Sequence, residues 1–324
     1  MIALTRRHLA FGLTGFVAGL PGPQALSATW PERPVRLVTP AAPGSSTDLA
    51  ARLYAERLAA TWAQPVMVEP KPGADGVIAV EAMLAAREGH TLMFGPAGVL
   101  TVTPLLRERL PFDPKDVVPL SLAASDFLSI AISPALAGIS TLRDLVRAGQ
   151  ERPGTLNIAA GLGGLTLALA AFVRAHRLEV MTASYRSPPE AIPDLVAGRL
   201  HVLLGPLALV LPLARDGRAR VLAVTNPERT PAAPQIPTVI EQGFPELEVE
   251  GTLGVFGPGA MPAEARTQIA EAVSRAALEP ALVERLRAVG IVARAEPPDA
   301  FGQRVDRQRA HWASVARVHG GRLQ

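Results

Sequence analysis

Short apolar runs alternate with helical patterns along most of this chain, and that rhythm restricts the architectures open to it. VRLV (35–38) precedes a helical pattern over 47–62, VMVE (66–69) precedes IAVEAMLAA (78–86), and TLMF (91–94) follows. Such alternation predicts βαβ units and a parallel sheet with helices on its faces. The rhythm resumes with FLSIAIS (127–133), a helix over 141–148, LNIAA (156–160), LTLALAAFVRA (165–175) and EVMTASY (179–185). It runs on through PPEAIPDLVAG (188–198), HVLLG (201–205) and RVLAVT (220–225), so two α/β sheets are expected. The prolines of PERTPAAPQIP (227–237) forbid regular structure. The last 60 residues read as helices over 262–278, 280–290 and 298–318, with no sheet of their own. The economical arrangement returns the chain to its first half. It gives one domain of residues 29–126 plus 226–324, a second of residues 127–225, and a hinged cleft between them suited to a ligand.

The N-terminus reads as an export signal over residues 1–28. Arg6 and Arg7 precede an apolar run from Leu9 to Leu20 that is too short to span a bilayer, then a small-residue end. TRRHLA resembles part of a twin-arginine signal, with an ordinary secretory signal as the alternative. Removing the segment takes Arg6 and Arg7 from 32 basic residues set against 29 acidic ones, leaving a chain close to neutral. The basic runs RDGRAR (215–220) and RVDRQR (304–309) lack interleaved aromatics, so they read as solvated surface and no nucleic-acid partner is expected. The absence of cysteine excludes disulfides, thiol nucleophiles and thiolate metal sites.

PAAPGSSTD (40–48) joins the first strand to the first helix. Sheets of this kind bind ligands beyond the carboxyl ends of their strands. The small residues Ala41, Ala42, Gly44, Ser45 and Ser46 let backbone amides approach a ligand, and a helix N-terminus favours an anion. The turn therefore reads as a cradle for a carboxylate or phosphate, with Ser46, Thr47 or Asp48 as the helix cap. GPAGVLT (95–101) and AGLGGLT (160–166) are similar junctions. GLGGLT departs from the dinucleotide fingerprint at Thr166 and lacks the acidic residue expected about 20 positions on.

No catalytic constellation stands out. The six histidines are scattered without metal-ligand spacing, and neither a nucleophile elbow nor a phosphate-binding loop is present. Glu246, Glu248 and Glu250 have strand-like spacing and read as a solvated edge. No catalytic residue, metal or cofactor is expected.

Several segments together resemble the Bug (TctC) family of periplasmic solute-binding receptors of tripartite tricarboxylate transporters. They include WPERPVRLVTPAAPGSSTDLAARL, QPVMVEPKPGADGVIAVEAM, LPFDPKDVVPLSLAA, SYRSPPEAIPDLVAGRL and LEVEGTLGVFGPGAMPAE. The resemblance implies an α/β, two-domain periplasmic-binding-protein (Venus-flytrap) fold, each domain a sheet flanked by helices. It also implies a monomeric receptor without enzymatic activity, which takes a small carboxylate and presents it to membrane subunits or a sensor. Ligand contacts then fall at Ala42, Ser46, Thr47 and Asp48 in the first loop, Ala97 and Gly98 in the second, and Gly163, Gly164 and Thr166 in the third. Tyr185 is expected near the cleft on the second domain.

The departures bear on the ligand. Ser45 stands where the family commonly has a second glycine, Pro96 and Ala97 replace hydroxyl residues, and the third loop is nearly bare of polar side chains. Gly205 stands where many members carry Asp, and Thr252 where many carry Trp. Each lost hydroxyl removes a hydrogen bond worth about 0.5–1.5 kcal/mol. The pocket is thus expected to hold a carboxylate at one end and to be apolar and roomy elsewhere, suiting an aromatic or branched monocarboxylate. An interaction or sensor protein with an eroded pocket is the alternative.

Overall fold

A computed structural model describes residues 30–319 apart from 87, 88, 162 and 186. The export signal expected at 1–28 lies outside the described residues.

The first elements follow the sequence rhythm: β1 (Val35–Thr39), α1 (Ser46–Trp62), β2 (Val66–Pro70), α2 (Val77–Ala85) and β3 (Thr91–Pro96). β1 pairs in parallel with β2 on one side and β3 on the other. Two one-turn helices, α3 (Gly98–Thr101) and α4 (Thr103–Leu106), lead to β4 (Val117–Asp126). The apolar pattern does not announce β4, because Pro119 interrupts VVPLSLAASD. The sheet tolerates this proline where the ladder to the neighbouring strand is irregular.

The second sheet comprises β5 (Leu128–Ile132), α5 (Leu142–Glu151), β6 (Leu156–Ala160), α6 (Gly164–Ala175), β7 (Val180–Thr182), α7 (Pro188–Val196), β8 (Val202–Pro206), α8 (Leu207–Arg215) and β9 (Arg220–Val224). Its strand order is β7-β6-β8-β5-β9, with β6 parallel to both neighbours and β5 antiparallel to both of its own.

The chain ends with β10 (Gly251–Pro258), α9 (Ala263–Ala277), α10 (Pro280–Ala288), β11 (Ile291–Glu296) and α11 (Pro298–His319). The closing helices expected from sequence are present without a sheet of their own, and one strand among them, β11, adds to the first sheet. β10 inserts antiparallel between β3 and β4, and β11 caps the edge beside β4, completing the order β11-β4-β10-β3-β1-β2. Three glycines hide β10 from an apolar pattern. A side chain at Gly254 would collide with the Phe301 ring of α11, and one at Gly251 with the Asp126 carbonyl, so close packing dictates the residues here.

The chain passes between the sheets three times. Asn226 clamps the first two crossings: its Nδ2 donates to the Asp126 carbonyl, and its Oδ1 accepts from the Leu128 amide. The sequence reading returns residues 226 onward to the first domain. Instead, Val239, Phe244, Leu247 and Val249 pack with Ile130, Ile158 and Phe172 of the second core, and Ala233 and Ile236 of the proline-rich segment pack with Ala131 and Leu203 of the same sheet. The third crossing is α11, whose Phe301 and Val305 join the first core while Trp312 is buried in the second. Arg304 fixes its first half, pairing with both Glu250 and Glu296. Glu246 contacts His176 Nε2 at 2.7 Å, so Glu246 and Glu250 are engaged partners and not the solvated edge expected.

Candidate functional site

Loop 40–48 is built around the entry to α1. Ser45 is the N-cap, with extended backbone (φ −70°, ψ 162°) and a side-chain oxygen that accepts from the Asp48 amide at 3.3 Å. The cap is thus one residue before the three expected. Asp48 is buried, and its carboxylate accepts from the Gly44 amide at 2.9 Å and from Arg52 Nε at 3.0 Å. It holds the loop closed with its oxygens already engaged.

That arrangement leaves the next two residues unspent. Ser46 and Thr47 are half-buried, and neither their amides nor their hydroxyls have a hydrogen-bond partner among the described residues. As the first two positions of a 17-residue helix they carry free N–H groups and the positive end of its dipole. The Ala42 carbonyl accepts from the Ser45 amide, which tightens the turn without using either position.

The second junction lies beside the first. The Ala97 amide donates to the Thr252 carbonyl at 2.9 Å and the residue is buried, so its amide is spent on the sheet. Gly98 is half-buried with open space where a side chain would be. A third neighbour escaped the sequence reading. Residues 73–76 of KPGADG all adopt positive φ, including Ala74 (51°) and Asp75 (54°), a conformation held by Thr103 Oγ1 donating to the Asp75 carbonyl and by Arg107 pairing with its carboxylate. A side chain at Gly76 would strike Val99, and one at Gly95 would strike Pro40, so the three junctions are packed together. Consecutive left-handed non-glycine residues store strain of the kind that collects at binding sites. The two glycines of PGADG were its sequence signal.

On the second sheet, loop 161–166 begins α6. Gly163 has φ 72° and ψ −126°, which no L side chain adopts comfortably, and its surroundings are open. Gly164 is small for a different reason: a side chain there would lie 2.9 Å from the Trp312 ring and 3.0 Å from Val249. Thr166 Oγ1 donates to the Gly161 carbonyl at 3.0 Å, closing the loop from within. The Tyr185 hydroxyl donates to Asp194 at 2.8 Å; burial and that bond raise its pKa. Gly205 is the penultimate residue of β8, where an added Cβ would make only ordinary contacts, 3.7 Å from Leu203 and 3.9 Å from Pro188. α11 contacts α3 and α4 on one side and α6 on the other, joining the second and third loops. Among the described residues no hydrogen bond runs between loop 40–48 and residues 161–206.

Asp126 is a further residue the sequence did not single out. It ends β4 at the first crossing, is buried, and has an Oδ1 without a hydrogen-bond partner among the described residues. Burial pushes its pKa up to about 7. No group of three His, Asp or Glu among the described residues could hold a metal ion, and no described helix is long and apolar enough to cross a membrane.

Two helix-flanked sheets with glycine-rich junctions at their strand ends define a two-domain binding protein of the periplasmic-binding-protein class. The sequence profile of the tripartite tricarboxylate transporter family receptor (TctC) matches residues 50–317, and the chain belongs to this family. A UPF0065 protein of Bordetella bronchiseptica is 32% identical over 271 residues, 83% of this chain and 80% of that one. Two solved structures share the fold. Rpa4515 of R. palustris, with adipate, has a TM-score of 0.82 at 27% identity, covering 90% of this chain and 98% of its own. MatC of Rhodopseudomonas palustris, with bound malate, has a TM-score of 0.78 at 26% identity, covering 88% and 99%.

Proposed function

We propose that the protein is an extracytoplasmic receptor that captures a small organic carboxylate between its two domains for delivery to membrane subunits of a tripartite transporter. The observation that carries this reading is the pair Ser46 and Thr47, which offer two amides and two hydroxyls without partners among the described residues at a helix N-terminus. Charge-assisted bonds from such donors to a carboxylate are about twice as strong as neutral ones. The adipate and malate bound by the two similar structures agree with an acid ligand. Ala42, Gly98 and Gly163 supply close backbone approach, whereas Asp48, Ala97, Gly164 and Thr166 build the loops and contact the ligand only through atoms left over.

In this reading the exported chain loses residues 1–28 and acts as a monomer in the periplasm. The first domain comprises 29–126 and the chain from about 250 onward, the second 127–249. Ligand contacts made to both domains at once favour the closed state, a shift in population. With Gly205 lacking a carboxylate and the hydroxyls of Tyr185 and Thr166 engaged, the second domain suits an apolar body, which favours an aromatic or branched monocarboxylate over a diacid.

The same engaged hydroxyls favour a second reading, a protein that works through a sensor or membrane partner without a small ligand. Thermal unfolding of the mature chain against dicarboxylates, acidic amino acids, aromatic acids and branched monocarboxylates separates the two. A ligand at 100 times its Kd adds about 2.7 kcal/mol. A shift with one acid class supports the receptor; no shift across the panel supports the partner-only protein.

A further inference from the structure

A second concavity lies on the other side of the second domain. It has a volume of about 600 Å³ and is lined by Ile132, Leu211, Val221 and Ile236, with Arg215 and Arg220 among its walls. β5 runs antiparallel to β8, pairing Leu128 with Pro206 at the cleft end and Ile132 with Val202 at the other. Ile132 is therefore about 13 Å along the sheet from the crossing, at the end of β8 opposite the interdomain loops.

The size falls in the range of small-molecule sites, about 300–1,000 Å³, and the lining mixes apolar side chains with Ser133, Gln235 and two arginines. Two arginines, Arg215 and Arg220, are among its lining residues, and no acidic residue is among the described ones. Arg220 Nη1 donates to the Ile139 carbonyl at 2.7 Å, which orients the group and leaves its other N–H donors available. Arg215 is exposed in the last turn of α8 and has no carboxylate or carbonyl partner among the described residues. The helix end does not oppose an anion with bare carbonyls, since those of Pro212, Leu213 and Ala214 accept from the amides of Asp216, Arg218 and Gly217.

We propose that this cavity is a second ligand site, separate from the cleft, which takes an amphipathic organic anion: a carboxylate held by Arg215 and Arg220, with an aliphatic chain against Ile132, Leu211, Val221 and Ile236. The RDGRAR run, read from sequence as solvated surface, supplies both arginines. The inference does not rest on the proposed carboxylate receptor; it stands on this cavity alone.

The test is an amide-resolved NMR titration of the mature chain with decanoate below its micellar concentration. Saturable shifts are expected at Ser133, Gly138, Gly217 and Ala219, independent of any shift at Ser46 and Thr47. Arg215→Ala and Arg220→Met each weaken binding about tenfold, and Ala214→Trp, which fills the cavity while keeping both charges, abolishes it. Melting temperatures and unchanged amide positions in the first domain show that the variants fold. Shifts confined to the cleft loops overturn the proposal, as do non-saturating shifts spread over exposed apolar residues such as Met67, Met181 and Leu278. Equal binding of 1-decanol overturns the anion requirement and the proposal with it.

Discussion

Replacing Asp126 with Asn keeps the shape of the side chain and removes its charge, at a point where the chain crosses between the sheets. Burial raises the Asp126 pKa from 3.8 to about 7, and no charged group contributes to that shift. A unit of pKa corresponds to about 1.4 kcal/mol, so a rise of roughly three units disfavours the ionised native state by about 4 kcal/mol. The unfolded chain loses this proton above about pH 4, whereas the native chain keeps it until about pH 7. Stability from this group is therefore present in acid, falls as pH rises through that window, and is flat above it. Urea unfolding of wild type and Asp126→Asn from pH 5 to 8.5 reads the effect, and the difference between the curves cancels the contribution of the histidines. The variant is expected to be more stable than wild type by a few kcal/mol at pH 8.5, with the gap narrowing toward pH 5. A variant of equal or lower stability at pH 8.5, with a pH-independent difference, would refute the reasoning.

Other outcomes follow from the same packing. Trp312→Ala empties a buried site against Gly164 and Val249 and should cost about 3–5 kcal/mol, read by chemical denaturation. Arg304 lowers the Glu296 pKa, so the pair contributes stability above the ordinary Glu range that is lost as pH falls through the lowered value; Arg304→Met should flatten that acid limb in a melting series from pH 2.5 to 6. Gly205→Asp has room for its Cβ at a buried position and should weaken a monocarboxylate by at least tenfold in calorimetric titration, because it sets a charge against the apolar body of the ligand.

Most strands of both sheets were legible because each is a short apolar run between helical patterns, as VRLV and HVLLG show. β4 and β10 were not: Pro119 interrupts one, and the other carries glycines whose absent side chains make room for Phe301 and the Asp126 backbone. Such substitutions follow from partners distant in sequence, which no local period reveals. The packing of 226–249 on the second sheet was hidden in the same way, since prolines mask the apolar residues that cover it. In the site, the character of PAAPGSSTD was readable from small residues followed by helix-capping types. The division of labour was not, because only the three-dimensional bonds assign Ser45 to the cap and Asp48 to Gly44 and Arg52, leaving Ser46 and Thr47 free.

The most direct test of the account is calorimetric titration of the acid that raises the melting temperature most into wild type and into Ser46→Ala with Thr47→Ala. Hydrogen bonds to a charged group are worth about 1.5–3 kcal/mol each, and about 1.4 kcal/mol is a tenfold change in Kd. The double variant removes two hydroxyls and keeps both amides, so Kd is expected to rise by roughly a hundredfold or more while the melting temperature of the free protein stays close to wild type. An unchanged Kd would place the carboxylate elsewhere and contradict the cradle at the start of α1.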